Sequence, residues 1–499
     1  MLSSVSGPAA AHTSQVTTPR AVVERPDPAA AESSLGRRSV WLPLAAATLL
    51  AAALRLPFLA HQSLWLDEVY TREIVREASL SDLWNHIEAT ESTPPLFYVL
   101  EWLAHARSTV ALRLLPAVAL IGAVPVAYLA FRRLVGGRAA LAGAAILAVN
   151  PMLVFYSTDA RGYGLFVLSA LLSVWAFSML LEDASRRRFG LWALACVVCV
   201  WTHYFGIFVV AAEVVTLLVV RPRLRLATVG WTALLGVCLL PLVPLVTSQS
   251  GDERAGFIAG IPLARRVSET VRQIAMGPNV PRAWLEGAGL AIVCVSLLVG
   301  IALVVRSRRP GPRVLLALAA LALGVPLLLA ALGIEDRFYA RNVIAVVPLV
   351  AALAAPAMLR LRAAPLALYV VLATVASIWV ATDWRYEQAD WKTALARAQS
   401  LDSGAPILAV GRESAPVVQT YLARQPASAG VLARRAWMIV EPVRAAGHRA
   451  LGPAPTPSLV GFSTVRTLHV QGFVLDLLGA ATPTRVAASE VPGSSLFPG

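Results

Sequence analysis

Lysine is all but missing from this chain: Lys392 is the single one among 499 residues, and charged residues of every kind make up 14% against 57% hydrophobic. With a mean hydropathy of +0.67, too little polar surface remains to cover a water-soluble globule, which excludes a soluble enzyme and leaves a polytopic membrane protein. Cysteine is scarce as well. Cys196, Cys199, Cys238 and Cys294 all fall inside apolar runs, where a thiol behaves as a small hydrophobe, so no disulfide is expected. Cys196 and Cys199 form a C-x-x-C, but no further Cys or His follows at zinc-finger spacing. The net charge of +14 does not call for nucleic acid, because most arginines sit in short loops between apolar runs, where they report topology.

Residues 1–38 are rich in Ala, Ser, Thr and Pro, lack apolar periodicity and end in Arg37-Arg38, the pattern of a disordered cytoplasmic tail. Apolar runs long enough to span a bilayer then recur at 39–60, 111–131, 139–156, 163–181, 189–203, 204–220, 226–246, 285–305, 314–333, 343–359 and 365–382, giving about eleven transmembrane helices. Arginine clusters at 132–138, 186–188, 221–225, 306–313 and 360–362 fall in alternate loops, whereas the other short turns carry only Arg161, Arg337 and Arg341. By the positive-inside rule the N-terminus is cytoplasmic and the C-terminus extracytoplasmic. The expected organisation is a transmembrane domain over 39–382, with extracytoplasmic loops at 61–110 and 247–284, and an extracytoplasmic domain over 383–499. In the last, short strand-like runs alternate with helical ones, which suggests a small α/β fold.

Acidic residues concentrate on the outer side of this topology. Asp67 and Glu68 lie just beyond the first span, where two carboxylates at a membrane surface can accept a proton from a nucleophile, hold a cation, or merely form a solvated loop. Ser79 to Ile87 has helical spacing of Leu80, Leu83, Trp84 and Ile87 with a serine cap, the signature of a short amphipathic helix. After it come Glu88 and Glu91-Ser92-Thr93-Pro94-Pro95-Leu96-Phe97-Tyr98, whose double proline fixes an extended bend. The turn Tyr156-Ser157-Thr158-Asp159-Ala160-Arg161-Gly162-Tyr163 and the segment Glu335 to Arg341 each place arginine at a lipid boundary, where a guanidinium suits a phosphate. His203 and Tyr204 occupy the shortest outer turn. Glu213 lies inside a span, with Arg55 as a candidate partner.

In order along the chain, the Asp67-Glu68 pair, the Glu91 to Tyr98 segment, Arg113-Leu114-Leu115-Pro116 and the Tyr156 to Tyr163 turn resemble the GT-C membrane glycosyltransferases. The likeness is to those related to glycosyltransferase family 39, which include protein O-mannosyltransferases and the lipid A aminoarabinose transferase. The resemblance implies a polyprenyl-phosphate sugar as donor and transfer, normally inverting, to a glycan, lipid or protein acceptor of the cell envelope. It further implies Asp67 as general base with Glu68 in support. Arg161 and either Arg337 or Arg341 would bind the donor phosphate. Glu91, Tyr98, Asp159, Tyr163, His203 and Tyr204 would line or support the substrate. The resemblance fixes no cofactor, because metal use varies among such enzymes; a divalent metal remains open, with Glu88, Glu91 and His203 as candidate ligands. The implied place is the plasma or inner membrane, with a site facing outward. The competing function class is a transporter or flippase of lipid-linked sugars.

Overall fold

The computed structural model describes residues 38–250, 256–411, 414–444 and 450–499. Two units are distinguished, Met1–Leu42 and Pro43–Gly499. Of the first, only the opening turn of the first helix is described, so the tail expected over 1–38 lies outside the described residues except for Arg38.

Helices occupy every apolar run read from the sequence. Helix α1 (Arg38–Ala53) is followed by three short ones, α2 (Leu66–Ile74), α3 (Leu80–Thr90) and α4 (Leu96–Leu103). Next come α5 (Thr109–Val135), α6 (Gly137–Val149), α7 (Pro151–Phe155), α8 (Tyr163–Glu182), α9 (Arg186–Thr202) and α10 (Gly206–Val220). The series continues with α11 (Arg225–Leu239), α12 (Val243–Ser250), α13 (Gly256–Ala259), α14 (Leu263–Met276), α15 (Ala283–Arg306), α16 (Pro310–Ala331), α17 (Val347–Met358) and α18 (Ala364–Thr382). Among the described residues, seven helical stretches are long and apolar enough to cross a membrane, and Gly137–Val149, Gly206–Val220 and Ile344–Met358 are shorter apolar helices. The run at 139–156 is not one continuous helix, because Pro151 supplies no backbone donor and Asn150 starts a new helix by accepting from the Leu153 amide. Pro241 likewise interrupts the run at 226–246 with a turn of 3₁₀ helix, Leu240–Leu242.

Close helix packing is bought with glycine where backbones meet. A Cβ on Gly164 of α8 would lie 2.5 Å from the Pro116 carbonyl oxygen of α5, so only glycine permits this approach. The helix expected at 79–87 is α3, and the Ser79 side chain accepts from the Asp82 amide as its N-cap. Its Leu83 and Ile87 are buried with Ile74, Phe97, Tyr98, Leu165 and Leu245, so these two positions of α3 are covered by protein while Leu80 is exposed.

The C-terminal part forms α19 (Trp391–Leu401), β1 (Ile407–Val410), α20 (Ser414–Leu422), β2 (Val431–Val440), β3 (Ser463–Val470), β4 (Phe473–Val486) and β5 (Ser494–Phe497). The sheet order is β3-β4-β2-β1-β5; β1 and β2 are parallel, and the other pairs antiparallel. Period-two alternation divides the strands between two cores. Ile407, Ala409, Trp437 and Ile439 face a cluster with Trp391, Leu395 and Val417, which also holds Leu64, Val69 and Leu112. Leu408, Met438 and Val440 face the other side. The first cluster, together with the hydrogen bond from the Leu64 amide to the Tyr421 hydroxyl (2.7 Å), braces the start of α2 against the sheet domain.

Candidate active site

Helix α2 begins at Leu66, so Asp67 and Glu68 both fall in its first turn, where carboxylates complement the helix dipole. Consecutive helical residues point about 100° apart, and the two side chains separate. Asp67 faces a cavity of about 960 Å³. Glu68 turns inward and is fully buried.

The environment of Glu68 is saturated. Arg113 of α5 donates Nε to Oε1 at 2.6 Å and Nη2 to Oε2 at 2.5 Å. The remaining guanidinium hydrogens go to the carbonyls of Leu59, Gln62 and Ser63 at 2.9 to 3.1 Å. Glu68 also accepts from the Ala160 amide at 2.9 Å, and Thr71 donates to the Ala160 carbonyl at 2.9 Å. One buried ion pair thereby ties α2, α5 and the 156–162 turn together. Glu68 is absent from the cavity wall, so the expectation that it would orient an acceptor gives way to this internal clamp.

Seven expected residues meet Asp67 on the cavity: Glu91, Arg161, Tyr163, His203, Tyr204, Arg337 and Arg341. Arg341 Nη1 lies 3.7 Å from Asp67 Oδ2, and both side chains are about a quarter exposed (23% and 25%). The Arg341 guanidinium sits 5.7 and 5.8 Å from the ring centres of Phe257 and Tyr339, a cation–π setting that holds it without neutralising it. Arg337 is within 3.3 Å of Glu335. Arg161 forms a bidentate pair with Glu91 at 2.7 and 2.6 Å and donates to the Asp67 carbonyl at 3.3 Å. The Tyr98 ring lies 5.8 Å from the Arg161 guanidinium, and the Tyr98 hydroxyl is 3.1 Å from Thr93. Tyr98 therefore supports the wall from behind.

Asp159 also stands behind the wall and accepts from Trp65 Nε1 at 3.2 Å. Burial, and then the nearby charges of Glu68 and Asp67, push its carboxyl up to about 7. His203 stacks on Phe166 with ring centres 4.6 Å apart and accepts from the Phe205 amide through Nδ1 at 3.2 Å. Tyr204 donates to Gln249 Oε1 at 2.9 Å. Glu88 does not line the cavity. Among the described residues, no group of three or more His, Cys, Asp or Glu is disposed to hold a metal ion. With both Glu91 oxygens accepting from Arg161, the trio Glu88, Glu91 and His203 does not fit a metal's ligand set.

The pairing of Arg55 with Glu213 does not form. Arg55 donates to the carbonyls of Ala51, Ala148 and Leu147, two of which end α6 before Asn150. Glu213 accepts from Ser173 at 2.8 Å and Trp192 Nε1 at 2.7 Å. Neither side chain meets an opposite charge: the Arg55 Nη groups and the Glu213 carboxyl are held by neutral dipoles, and Arg55 Nε is left without a partner. The partner of Glu68 went unrecognised in the sequence, although an arginine inside an apolar span is itself a signal.

Residues 92–247 match the family model described as dolichyl-phosphate-mannose-protein mannosyltransferase. No curated protein matches the chain. ArnT from Cupriavidus metallidurans, solved bound to undecaprenyl phosphate, aligns with a TM-score of 0.54 at 16% identity, covering 88% of this chain and 97% of that one. Its apo structure gives 0.51 at 16% identity, with the same coverage of both chains. The oligosaccharyltransferase of Archaeoglobus fulgidus, solved with Zn and sulfate, gives 0.46 at 16% identity and covers 72% of this chain. This chain spans about half, 55%, of the length of that protein. From its helical order and its likeness to ArnT along nearly the whole chain, the protein has the fold of the GT-C membrane glycosyltransferases.

Proposed function

We propose that this protein transfers a sugar from a polyprenyl-phosphate donor to a cell-envelope acceptor at the extracytoplasmic membrane face, with inversion at the anomeric carbon. The observation that carries this reading is one cavity wall bearing a carboxylate, Asp67, and three guanidinium groups, Arg161, Arg337 and Arg341. A carboxylate suits a proton acceptor, and arginines suit a phosphate. Undecaprenyl phosphate bound to ArnT, which shares the fold, supports the donor class. The charge asymmetry of the loops supports the outward orientation.

In this reading the acceptor hydroxyl gives its proton to an Asp67 carboxylate oxygen as its own oxygen bonds to the anomeric carbon. The bond from that carbon to the phosphate oxygen breaks, and polyprenyl phosphate departs with its charge held by arginine. Arg341 serves as the principal phosphate ligand. It is the more available cation, held by two aromatic rings and lying 3.7 Å from Asp67, whereas Arg161 is already engaged by Glu91. Arg161 then acts at the edge of the phosphate and keeps α2 and the 156–162 turn in register. No step is routed through a metal; among the described residues, Glu88, Glu91 and His203 are not disposed as a ligand set.

The test is product formation by the purified protein in detergent, where no membrane barrier exists. Supplied with a polyprenyl-phosphate sugar and envelope glycolipid acceptors, a transferase makes a new glycosidic bond, detectable by mass spectrometry. Donor left intact across a panel of acceptors, with the same protein moving it between leaflets of vesicles, would overturn the reading in favour of a flippase. Lipids copurifying with the protein would name the sugar through the headgroup mass.

A further inference from the structure

We propose that Arg266 of α14 is a positioning residue for the arginines of the 335–342 segment, setting how Arg337 and Arg341 reach the donor phosphate without touching the substrate. The proposal rests on the reading of those two arginines as phosphate ligands.

Residues 335–339, which include Arg337, have no helix or strand, so no backbone ladder fixes the course of the chain there. Arg266 supplies that constraint. Its Nη2 donates to Asp336 Oδ1 at 2.6 Å and its Nη1 to the Phe338 carbonyl at 3.2 Å. The two contacts straddle Arg337, whose own carbonyl accepts from Asn342 Nδ2 at 2.8 Å. Arg337, Arg341 and Asn342 line the cavity and Arg266 does not, so any influence on substrate passes through the segment.

The sequence of α14 explains why Arg266 can do this. Arg266, Thr270 and Ile274 recur every four residues and are buried, forming one face of the helix. Arg266 is only 3% exposed, and a guanidinium so placed is costly unless its hydrogens find acceptors. Asp336 meets it with a side chain still 35% exposed. The pair is thus anchored at the helix end and adjustable at the loop end. Lysine would keep the charge but not the fork that spans Asp336 and the Phe338 carbonyl.

The experiment uses the full chain in detergent, with undecaprenyl phosphate as the probe, and measures probe affinity, donor KM, kcat and thermal unfolding. Arg341→Ala is the reference for loss of a phosphate ligand. Arg266→Met should weaken undecaprenyl phosphate binding about tenfold, the scale expected when hydrogen bonds to a charged group are lost. Donor KM should rise in parallel, while kcat at saturating donor stays within about threefold. Arg266→Lys should recover only part of the loss. In Arg266→Met combined with Arg341→Ala, binding should fall by less than the product of the two single effects, because one variant misplaces what the other removes. Asp336→Asn, at the exposed end of the pair, should weaken binding in the same direction by a few-fold, and it carries the test if Arg266→Met does not fold. Wild-type affinity in Arg266→Met and Asp336→Asn, alongside weakened Arg341→Ala, would overturn the positioning role and leave the phosphate reading standing. Wild-type affinity in both Arg341→Ala and Arg337→Ala would overturn the phosphate reading, and the positioning role with it.

Discussion

Asp67 and Glu68 are adjacent in the sequence and meet opposite surroundings. The Asp67 side chain is a quarter exposed on a large cavity, with its carboxylate 3.7 Å from Arg341. Glu68 is sealed from solvent, with both oxygens engaged by Arg113 and the Ala160 amide. A carboxylate with free lone pairs beside a cavity can take a proton. One whose lone pairs are all committed can only hold structure. The same contrast separates the arginines: Arg113 is consumed in the core, Arg161 is half committed to Glu91, and Arg341 is held by rings. Commitment of hydrogen-bonding capacity, more than residue type, divides this region into scaffold and site.

The contrast breaks most sharply at the two carboxylates. Asp67→Asn keeps size and shape and should lower turnover by about 10²- to 10⁴-fold, the usual contribution of a positioned base, with the unfolding temperature near that of wild type. Glu68→Gln should do the reverse. It leaves the Arg113 guanidinium without its counter-ion in the core, at a cost of about 3–5 kcal/mol, visible as a lowered unfolding midpoint, while turnover per folded molecule stays within a few-fold.

Smaller effects sharpen the arginines. Arg161→Ala should raise donor KM by about ten- to a hundredfold and leave acceptor KM near wild type; an unchanged donor KM would remove Arg161 from the donor site. Glu91→Gln, which loosens Arg161 without deleting it, should give a milder change in the same direction.

The effect furthest from turnover is a pH slope. With its carboxyl raised to about 7, Asp159 keeps its proton in the folded protein over a range where the unfolded chain has lost it. Its contribution to stability is therefore complete below about pH 4 and is lost as pH rises through 7. Asp159→Asn can still accept from Trp65 and should flatten the stability–pH curve between those limits. A slope equal to wild type would mean that Asp159 ionises freely in the fold.

Much of the helical architecture was legible because apolar run length and capping residues act locally. Ser79 caps α3, and Ile407 to Val410 forms a strand as its composition suggests. The interruptions at Asn150-Pro151 and Pro241 were visible as residues but not as breaks, since proline is tolerated within α5 at Pro116 and Pro125. The cavity wall was legible residue by residue, through Asp67, Arg161, Tyr163, His203, Arg337 and Arg341. Which of its members are free was not. Glu68 and Arg113 lie 45 positions apart, and Arg266 and Asp336 lie 70 apart. Pairings of that kind depend on helix adjacency, which the chain does not encode locally. Arg55 and Glu213 failed as a pair for the same reason: neutral carbonyls, a hydroxyl and an indole reached them first.

The most direct measurement sets Asp67→Asn and Glu68→Gln side by side, recording kcat per folded molecule and unfolding midpoint for each in detergent with saturating donor. The expected result is a crossed pattern: Asp67→Asn stable and inactive while still binding undecaprenyl phosphate, Glu68→Gln active and destabilised. Wild-type turnover in Asp67→Asn would contradict the account, whatever the fate of Glu68→Gln.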